Sequence, residues 1–229
     1  MKICGLQNTT LLDYPGKVAC TIFTGGCNFR CPFCHNASLV IDPLTSYFEK
    51  DLFDFLNHRK KVLDGVCITG GEPTIWPDLD NLIFKIKALG LLVKLDTNGS
   101  NPNYIKKLID NNLVNYIAMD IKSGPSRYNK AIGLDNFNIY FIKESIDIIM
   151  SSKIQYEFRT TLVKGIHILD DMNEIATMIK GADNYYLQSF KQNDNILNDS
   201  GFDSFSTDEL NEFLDIAKTF SNAKLRGVD

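Results

Sequence analysis

Apolar runs of strand length alternate along the chain with stretches in which apolar residues recur at helical spacing. Six runs are rich in β-branched and aromatic residues and nearly continuous in apolar character, as expected when helices cover a sheet or when a sheet closes into a barrel. They are VACTIF (18–23), GVCITG (65–70), LLVKLDT (91–97), NYIAMDI (115–121), QYEFRTTL (155–162) and NYYLQSF (184–190). The pattern predicts six buried strands.

Helical stretches follow these strands, and the spacing of their apolar residues places each set on one helix face. The sets are Leu52, Phe53, Phe55 and Leu56; Leu79, Leu82, Ile83, Ile86 and Leu89; Ile105, Leu108 and Ile109; Phe141, Ile142, Ile146 and Ile149; Ile175, Ala176 and Ile179; and Leu210, Phe213, Leu214 and Ala217. Ser206 and Glu209 form a capping-box pattern before the last helix. Six β/α units indicate an α/β fold with parallel strands, either doubly wound or a partial barrel. In both, chemistry belongs at the carboxyl ends of the strands.

Composition narrows the class of protein. The 229 residues are 44% hydrophobic and 23% charged, and no linker or low-complexity segment divides them, so we expect one domain over residues 1–229. A net charge of -4 without a long basic block argues against a nucleic-acid partner. The start of the chain lacks a signal-peptide pattern, and no run approaches the roughly 20 apolar residues of a membrane helix. We therefore expect a cytoplasmic protein without a membrane partner.

Three of the six cysteines, Cys27, Cys31 and Cys34, lie in CNFRCPFCHN, residues 27–36, directly after the first predicted strand. Cytoplasmic thiols are kept reduced, so a cluster of them more often binds metal or does chemistry than forms disulfides. The candidates are zinc and an iron–sulfur cluster. The position of the triplet at a strand end favours an active site.

The fourth metal ligand decides between these candidates. A structural zinc would take His35 or a distant cysteine, but His35 directly follows Cys34, and adjacent side chains seldom reach one tetrahedral ion together. The remaining cysteines, Cys4, Cys20 and Cys67, are isolated in the sequence. A 4Fe-4S cluster held by three thiolates would instead leave one iron open for substrate, as catalytic metals do.

The spacing Cys-x3-Cys-x2-Cys in CNFRCPFC resembles the radical S-adenosylmethionine (SAM) superfamily. That resemblance implies a partial (β/α)6 TIM-like barrel in which Cys27, Cys31 and Cys34 hold a 4Fe-4S cluster and SAM chelates its open iron. It also implies that Phe33, before the last cysteine, lies near the adenine. Reductive cleavage of SAM is then expected to yield methionine and a 5'-deoxyadenosyl radical.

The second strand ends in Gly70, Gly71, Glu72 and Pro73, and this GGEP sequence is by itself typical of a turn. Placed one β/α unit after the cysteines, it looks like the family motif that binds the methionine amino group of SAM. Two glycines would let a ligand approach the backbone without interference from Cβ atoms.

The third and fourth strands end in LDTNG (95–99) and MDIK (119–122), which resemble the activating enzymes of glycyl-radical proteins. The residues that this resemblance assigns to SAM binding are Asp96, Thr97, Asn98, Asp120 and Lys122. It implies that Asp96, Thr97 and Asp120 help to hold a monovalent cation beside the SAM carboxylate, while Lys122 supplies positive charge.

The last two strands offer one charged and one polar candidate. Arg159, in EFRTTL, matches a position that faces the same site, and a charged arginine in so apolar a strand needs an anionic partner. The sixth strand departs from the formate-lyase activator pattern, which has a histidine there for the ribose. Of the polar residues in YYLQSFKQ, we predict that Gln188 makes this contact.

The sequence LLDYPGKVACTIFTGGCNFRCPFCHN, residues 11–36, resembles the anaerobic ribonucleoside-triphosphate reductase activating proteins, which are similar to pyruvate formate-lyase activating enzyme. The resemblance implies an enzyme that generates a glycyl radical on a partner enzyme, with flavodoxin or ferredoxin as electron donor. Asp13 and His35 are candidates for guiding the partner's loop. Two alternatives stay open: a radical SAM enzyme that acts on a small molecule, as a deazapurine-forming synthase does, and a zinc-binding module without catalysis.

Overall fold

The computed structural model describes residues 1–192, 196–197 and 201–227. Within these residues, eight strands form one sheet and lie in the order of the chain. The strands are β1 (Ile3–Thr10), β2 (Ala19–Thr24), β3 (Gly65–Gly70), β4 (Leu92–Thr97), β5 (Tyr116–Asp120), β6 (Gln155–Leu162), β7 (Tyr185–Ser189) and β8 (Ala223–Arg226). β1 is antiparallel to β2, and each later pair of neighbours is parallel.

Helices connect the parallel strands, as β/α alternation requires. They are α1 (Ala37–Ile41), α2 (Glu49–Arg59), α3 (Leu79–Ala88), α4 (Pro102–Asp110), α5 (Tyr128–Ile132), α6 (Tyr140–Ser151), α7 (Leu169–Ile179) and α8 (Thr207–Lys218), with short 3-10 helices at Pro73–Ile75 and Pro125–Arg127. A doubly wound sheet reverses its strand order at one point, and this sheet does not. The prediction of a partial TIM-like barrel is therefore confirmed.

The six strands predicted from apolar runs are confirmed to within one residue at each end. β1 and β8 were not predicted. β1 is mostly exposed or half-buried, and β8 has only four residues, so neither carries the apolar run that marks a central strand. The six β/α units of the prediction are thus flanked by two further strands that depend on pairing with their neighbours.

The helices cover the sheet with the apolar faces that the sequence predicts. In α3, for example, Leu79, Ile83 and Ile86 are fully buried. The capping box of α8 is also present, because Ser206 Oγ accepts from the Glu209 N–H while the Glu209 carboxylate accepts from the Ser206 N–H. Among the described residues, no helix combines the length and the apolar character that a membrane span requires.

Alternation along the strands separates the hydrophobic core from the inside of the barrel. In β4, Val93 and Leu95 belong to the core, whereas Lys94 and Asp96 contact each other on the opposite side. The inner side of the parallel strands therefore carries polar and charged residues toward the carboxyl ends of the strands.

Candidate active site

The carboxyl ends of the parallel strands surround a cavity of about 260 Å³. Most residues that the sequence singles out line it. They are Cys27, Cys31, Phe33, Cys34, His35, Gly70, Gly71, Asp96, Thr97, Asn98, Asp120, Lys122, Arg159 and Gln188. Groups that lie far apart in the sequence thus meet at one place, as parallel strands ending at one edge allow.

The cysteine loop between β2 and α1 is held by backbone hydrogen bonds. The Cys34 N–H donates to the Cys31 carbonyl at 3.0 Å, and the Arg30 N–H donates to the carbonyl of Ile132, the last residue of α5, at 2.8 Å. Arg30 also donates from its guanidinium to the Cys27 carbonyl. Because the loop is fixed to a second element, its three thiols have a defined position before any metal binds.

Burial sets the protonation of two of these thiols. It raises the pKa of Cys27 to about 11, although the Phe29 N–H, which donates to Cys27 Sγ, acts in the opposite direction. It raises the pKa of Cys31 to about 12, against the lowering effect of Lys122. At neutral pH both groups are thiols, so metal binding has to displace their protons.

The two glycines of GGEP are required by the protein's own backbone. A Cβ on Gly71 would lie 1.9 Å from the carbonyl oxygen of Gly26, and one on Gly70, whose φ is +117°, would lie 2.4 Å from the backbone of Thr24. The Gly71 N–H donates to the Thr24 carbonyl, and the Glu72 N–H donates to the Gly26 carbonyl. The two glycines therefore admit the close approach of the protein's own backbone at Thr24 and Gly26, and not only that of a ligand.

Glu72 is fully buried and does not line the cavity, so it is not placed to touch a ligand there. Its Oε1 accepts from the N–H and hydroxyl of Thr74 and from the hydroxyl of Thr97, and its Oε2 accepts from the Asn98 N–H at 2.6 Å. Burial raises the pKa of Glu72, and these donors act against the rise. The carboxyl group joins the ends of β3 and β4 beneath the cavity.

Glu72→Gln is expected to lower the free energy of unfolding by about 1–3 kcal/mol. Both carboxylate oxygens accept from donors, so the NH2 group of glutamine would replace one acceptor by a donor and leave its partners unpaired. Chemical denaturation monitored by circular dichroism measures this loss. Glu49→Gln is the matched control, since Glu49 is exposed and pairs with Lys85 on the surface. Equal stability of Glu72→Gln and Glu49→Gln would contradict a structural role for the Glu72 carboxyl.

Two carboxylates and two basic groups form a continuous network on the floor of the cavity. Arg159 donates from Nε to Asp120 Oδ1 at 2.7 Å and from a terminal nitrogen to Asp96 Oδ2 at 3.2 Å. Lys122 donates to Asp120 Oδ2 at 2.8 Å. Burial alone would raise the pKa of Asp120, but Arg159 and Lys122 hold it well below its ordinary value. The structure thus brings these four residues together, while their role in binding SAM stays a prediction.

The aromatic and polar residues around the thiols also have defined partners. The Phe33 ring meets the ring of buried His167 edge-on, at 6.1 Å between centroids. His167 Nδ1 accepts from the Val163 N–H, which leaves the proton on Nε2 to be donated to the Lys122 carbonyl at 2.8 Å. His167 was missed by sequence analysis because a single histidine after a strand carries no motif.

Three further polar residues from the sequence predictions line the same cavity. The Asn98 amide donates to Asn28 Oδ1 at 2.9 Å and lies 3.9 Å from Cys27 Sγ. The His35 ring lies 5.2 Å from that of Phe190, and its pKa is lowered by burial and then by Lys122. Gln188 is beside Thr161 in the register of β6 and β7. Each is therefore placed to touch a ligand in the cavity.

Asp13 is, with Glu72, one of two predicted residues that do not line the cavity. It lies in the turn before β2, near the amino end of that strand, and its Oδ2 accepts from the Thr21 hydroxyl at 2.5 Å. Contact between Asp13 and a partner's loop stays a prediction.

Five lining residues were not predicted, namely Phe29, Asn36, Val40, Thr69 and Thr161. The two threonines could have been found from strand alternation, because Thr69 lies two positions after Cys67 and Thr161 two positions after Arg159. Val40 comes from α1, a five-residue helix too short to be recognised by periodicity.

Comparison with known proteins agrees with the resemblance that the sequence motifs indicate. The model of the Radical SAM superfamily matches residues 21–179. A protein of Methanocaldococcus jannaschii, which carries the provisional name glycyl-radical enzyme activating enzyme, is 32% identical over 220 residues, 94% of this chain and 90% of its own length. A 7-carboxy-7-deazaguanine synthase of Neisseria meningitidis is 38% identical over 88 residues, 38% of this chain and 39% of that protein.

A solved structure supports the fold. Streptococcus suis SuiB bound to the precursor peptide SuiA matches with a TM-score of 0.68 at 17% identity, and covers 90% of this chain and 48% of that one. At this identity the likeness concerns the fold alone.

Proposed function

The chain belongs to the radical SAM superfamily, and from this premise we propose that it is an activase that generates a glycyl radical on a partner enzyme. The observation that carries the proposal is the meeting of three thiols with the Arg159, Lys122, Asp96 and Asp120 network in one cavity. The family implies a 4Fe-4S cluster and SAM. The activase assignment draws on similarity to the M. jannaschii protein over nearly the whole length of both chains.

The thiols fit a cluster better than a single ion. Cys27, Cys31 and Cys34 all line the same cavity. Three thiols on one cavity suit an iron–sulfur cluster, which is held by cysteine thiolates. This arrangement supports the cluster over the zinc-binding module.

The chain's own residues have separate tasks in the proposed reaction. When bound by the three cysteines, the cluster supplies the electron for reductive cleavage of SAM. Lys122 and Arg159 present positive charge toward the cavity, where they can pair with the SAM carboxylate. Asp96 and Asp120 fix the orientation of these two basic groups, so the carboxylate is bound in one position.

Other lining residues would hold the remainder of SAM. Phe33 offers an aromatic surface for the adenine, and Gln188 offers an amide to the ribose hydroxyls. Backbone groups at Gly70 and Gly71 lie within reach of the methionine amino group. His35 is the lining residue that we assign to contact with the partner's loop.

The resemblance also implies a monovalent cation, with Asp96, Thr97 and Asp120 as its ligands. All three side chains already bond within the chain: both aspartates accept from basic groups, and the Thr97 hydroxyl donates to Glu72 at 2.7 Å. A cation that bound here would have to share these oxygens with the groups that already bond to them.

We assign anaerobic ribonucleoside-triphosphate reductase as the partner, on the resemblance of residues 11–36, with a reduced flavodoxin or ferredoxin as electron donor. The second candidate is a radical SAM enzyme that acts on a small molecule. It is favoured by the 38% identity to a deazaguanine synthase, although that likeness covers 88 residues only.

Incubation of the cluster-loaded protein with SAM, a reductant and anaerobic ribonucleoside-triphosphate reductase is expected to give a glycyl-radical doublet in the electron paramagnetic resonance spectrum. Replacement of the partner's radical glycine by alanine should remove the doublet while SAM cleavage continues. Pyruvate formate-lyase, treated in parallel, tests whether a different glycyl-radical enzyme is the partner. SAM cleavage without a doublet on either enzyme, together with turnover of a deazapurine precursor, would favour the second candidate.

A further inference from the structure

Lys94 is a charged residue that neither the sequence motifs nor the proposed function uses. It lies on β4, two residues before Asp96, and its side chain is only 2% exposed. Its ammonium group donates to Asp96 Oδ1, lies 3.8 Å from Cys67 Sγ and lies 5.8 Å from the centre of the Tyr116 ring. An ammonium group so well buried needs a compensating negative charge, and Asp96 provides it.

The carboxylate oxygens beside Lys94 already accept from basic groups of the chain. On Asp96, one oxygen accepts from Lys94 and the other from Arg159. On Asp120, one oxygen accepts from Arg159 and the other from Lys122. An added cation would have to share each oxygen with a group that is itself positively charged.

The charges of these groups also disfavour an added cation. Lys94, Arg159 and Lys122 carry three positive charges, against two negative charges on Asp96 and Asp120, so this group has a net charge of about +1. The neighbouring Glu157 leaves that balance unchanged, because Arg226 neutralises it through two hydrogen bonds, at 3.0 and 3.1 Å. Asp13 is not part of this hydrogen-bonded group, and its carboxylate accepts from the Thr21 hydroxyl. A net positive group favours an incoming carboxylate over a further cation.

We propose that the Lys94 ammonium group is a built-in counter-ion of Asp96 that takes the place of a bound alkali-metal cation. Lys94 is a positioning residue: it holds Asp96, which in turn holds Arg159 toward the cavity. The role of Lys94 in SAM binding rests on the proposed function. The expectation that alkali cations do not affect the stability of the folded protein does not rest on it.

Thermal unfolding of the full chain, with and without reconstituted cluster, tests the proposal. Melting temperatures are compared in potassium, sodium and tetramethylammonium chloride at equal ionic strength. The wild-type protein is expected to melt at the same temperature in all three salts. Lys94→Met, which removes the charge and keeps an apolar chain, should melt lower in tetramethylammonium chloride and recover in potassium or sodium chloride. Lys94→Arg is the charge-retaining control and should not respond to the choice of cation.

SAM affinity of the cluster-loaded protein gives a second readout. Lys94→Met should bind SAM on the order of 10-fold more weakly in tetramethylammonium chloride and regain affinity when potassium replaces it, whereas wild type should show no difference. Potassium- or sodium-dependent melting or SAM binding by the wild-type protein would overturn the proposal, and this arm does not need a variant that folds. A Lys94→Met variant that folds, but whose melting temperature and SAM affinity do not change with any alkali cation, would also overturn the proposal. If the salt-dependence results were as expected but no glycyl radical formed on any partner, the proposed function would be refuted and the proposal for Lys94 would stand.

Discussion

Replacement of Cys31 by alanine is expected to abolish SAM cleavage, with a loss of at least ~10³-fold in 5'-deoxyadenosine production. Cys31 is the most buried of the three cavity thiols, at 8% exposure, and lies in the middle of the loop between its two partners. Among the described residues, no separate group of three or more His, Cys, Asp or Glu side chains offers an alternative metal site. Two thiols are then too few to keep the cluster in place. The measurement is 5'-deoxyadenosine by chromatography, together with iron and sulfide content after anaerobic reconstitution.

Cys20→Ala is the matched control for this experiment. Cys20 is also buried, but it lies within β2 and does not line the cavity. Its variant should retain iron, the brown colour and the broad absorption near ~400 nm that an iron–sulfur cluster gives. Cys31→Ala that still cleaves SAM would refute the assignment of Cys31 as a ligand. A colourless wild-type protein with tightly bound zinc would favour the zinc-binding module.

Arg159→Leu is expected to weaken SAM binding on the order of 100-fold and to lower the free energy of unfolding by about 3 kcal/mol. The guanidinium group bridges Asp96 and Asp120, so its removal leaves two partly buried carboxylates close together. The cavity also loses a positive charge that is proposed to pair with the SAM carboxylate. Equilibrium dialysis with cluster-loaded protein measures affinity, and denaturant unfolding measures stability.

Arg226→Leu separates these two effects, because Arg226 also pairs with a buried carboxylate but does not line the cavity. Its partner Glu157 is 1% exposed. Arg226→Leu should therefore lose stability by a similar amount and keep its SAM affinity to within ~3-fold. If both variants lost affinity equally, the effect of Arg159 would be structural, and its assignment to the SAM carboxylate would be wrong.

The strands and the lining of the site could be predicted because both depend on local patterns. A buried strand needs a continuous apolar run, and residues at the ends of successive parallel strands meet by topology. The convergence of Cys31, Asp96, Asp120 and Arg159 therefore followed from their places at strand ends. The motif resemblance added the chemistry that such a meeting could serve.

Other features could not be predicted because they depend on contacts between distant segments. Lys94 lies between apolar residues in LLVKLDT, and only the position of Asp96 on the same side of β4 explains its burial. Asp13 precedes the cysteines closely in sequence, yet it lies outside the cavity and accepts a hydrogen bond from Thr21. β1 carries too few buried residues to be recognised without its partner β2.

The contact of Gly71 with Gly26 has a consequence for protein engineering. The cysteine loop and the GGEP turn meet through backbone atoms, with two hydrogen bonds donated by N–H groups of the turn to the carbonyls of Thr24 and Gly26, and with no space for a methyl group on Gly71. A loop transplanted alone onto another β/α scaffold would lack this support and would adopt a different path. Grafting is expected to succeed only when both segments are moved as one cassette, and natural variation at position 71 should be accompanied by a changed loop at position 26.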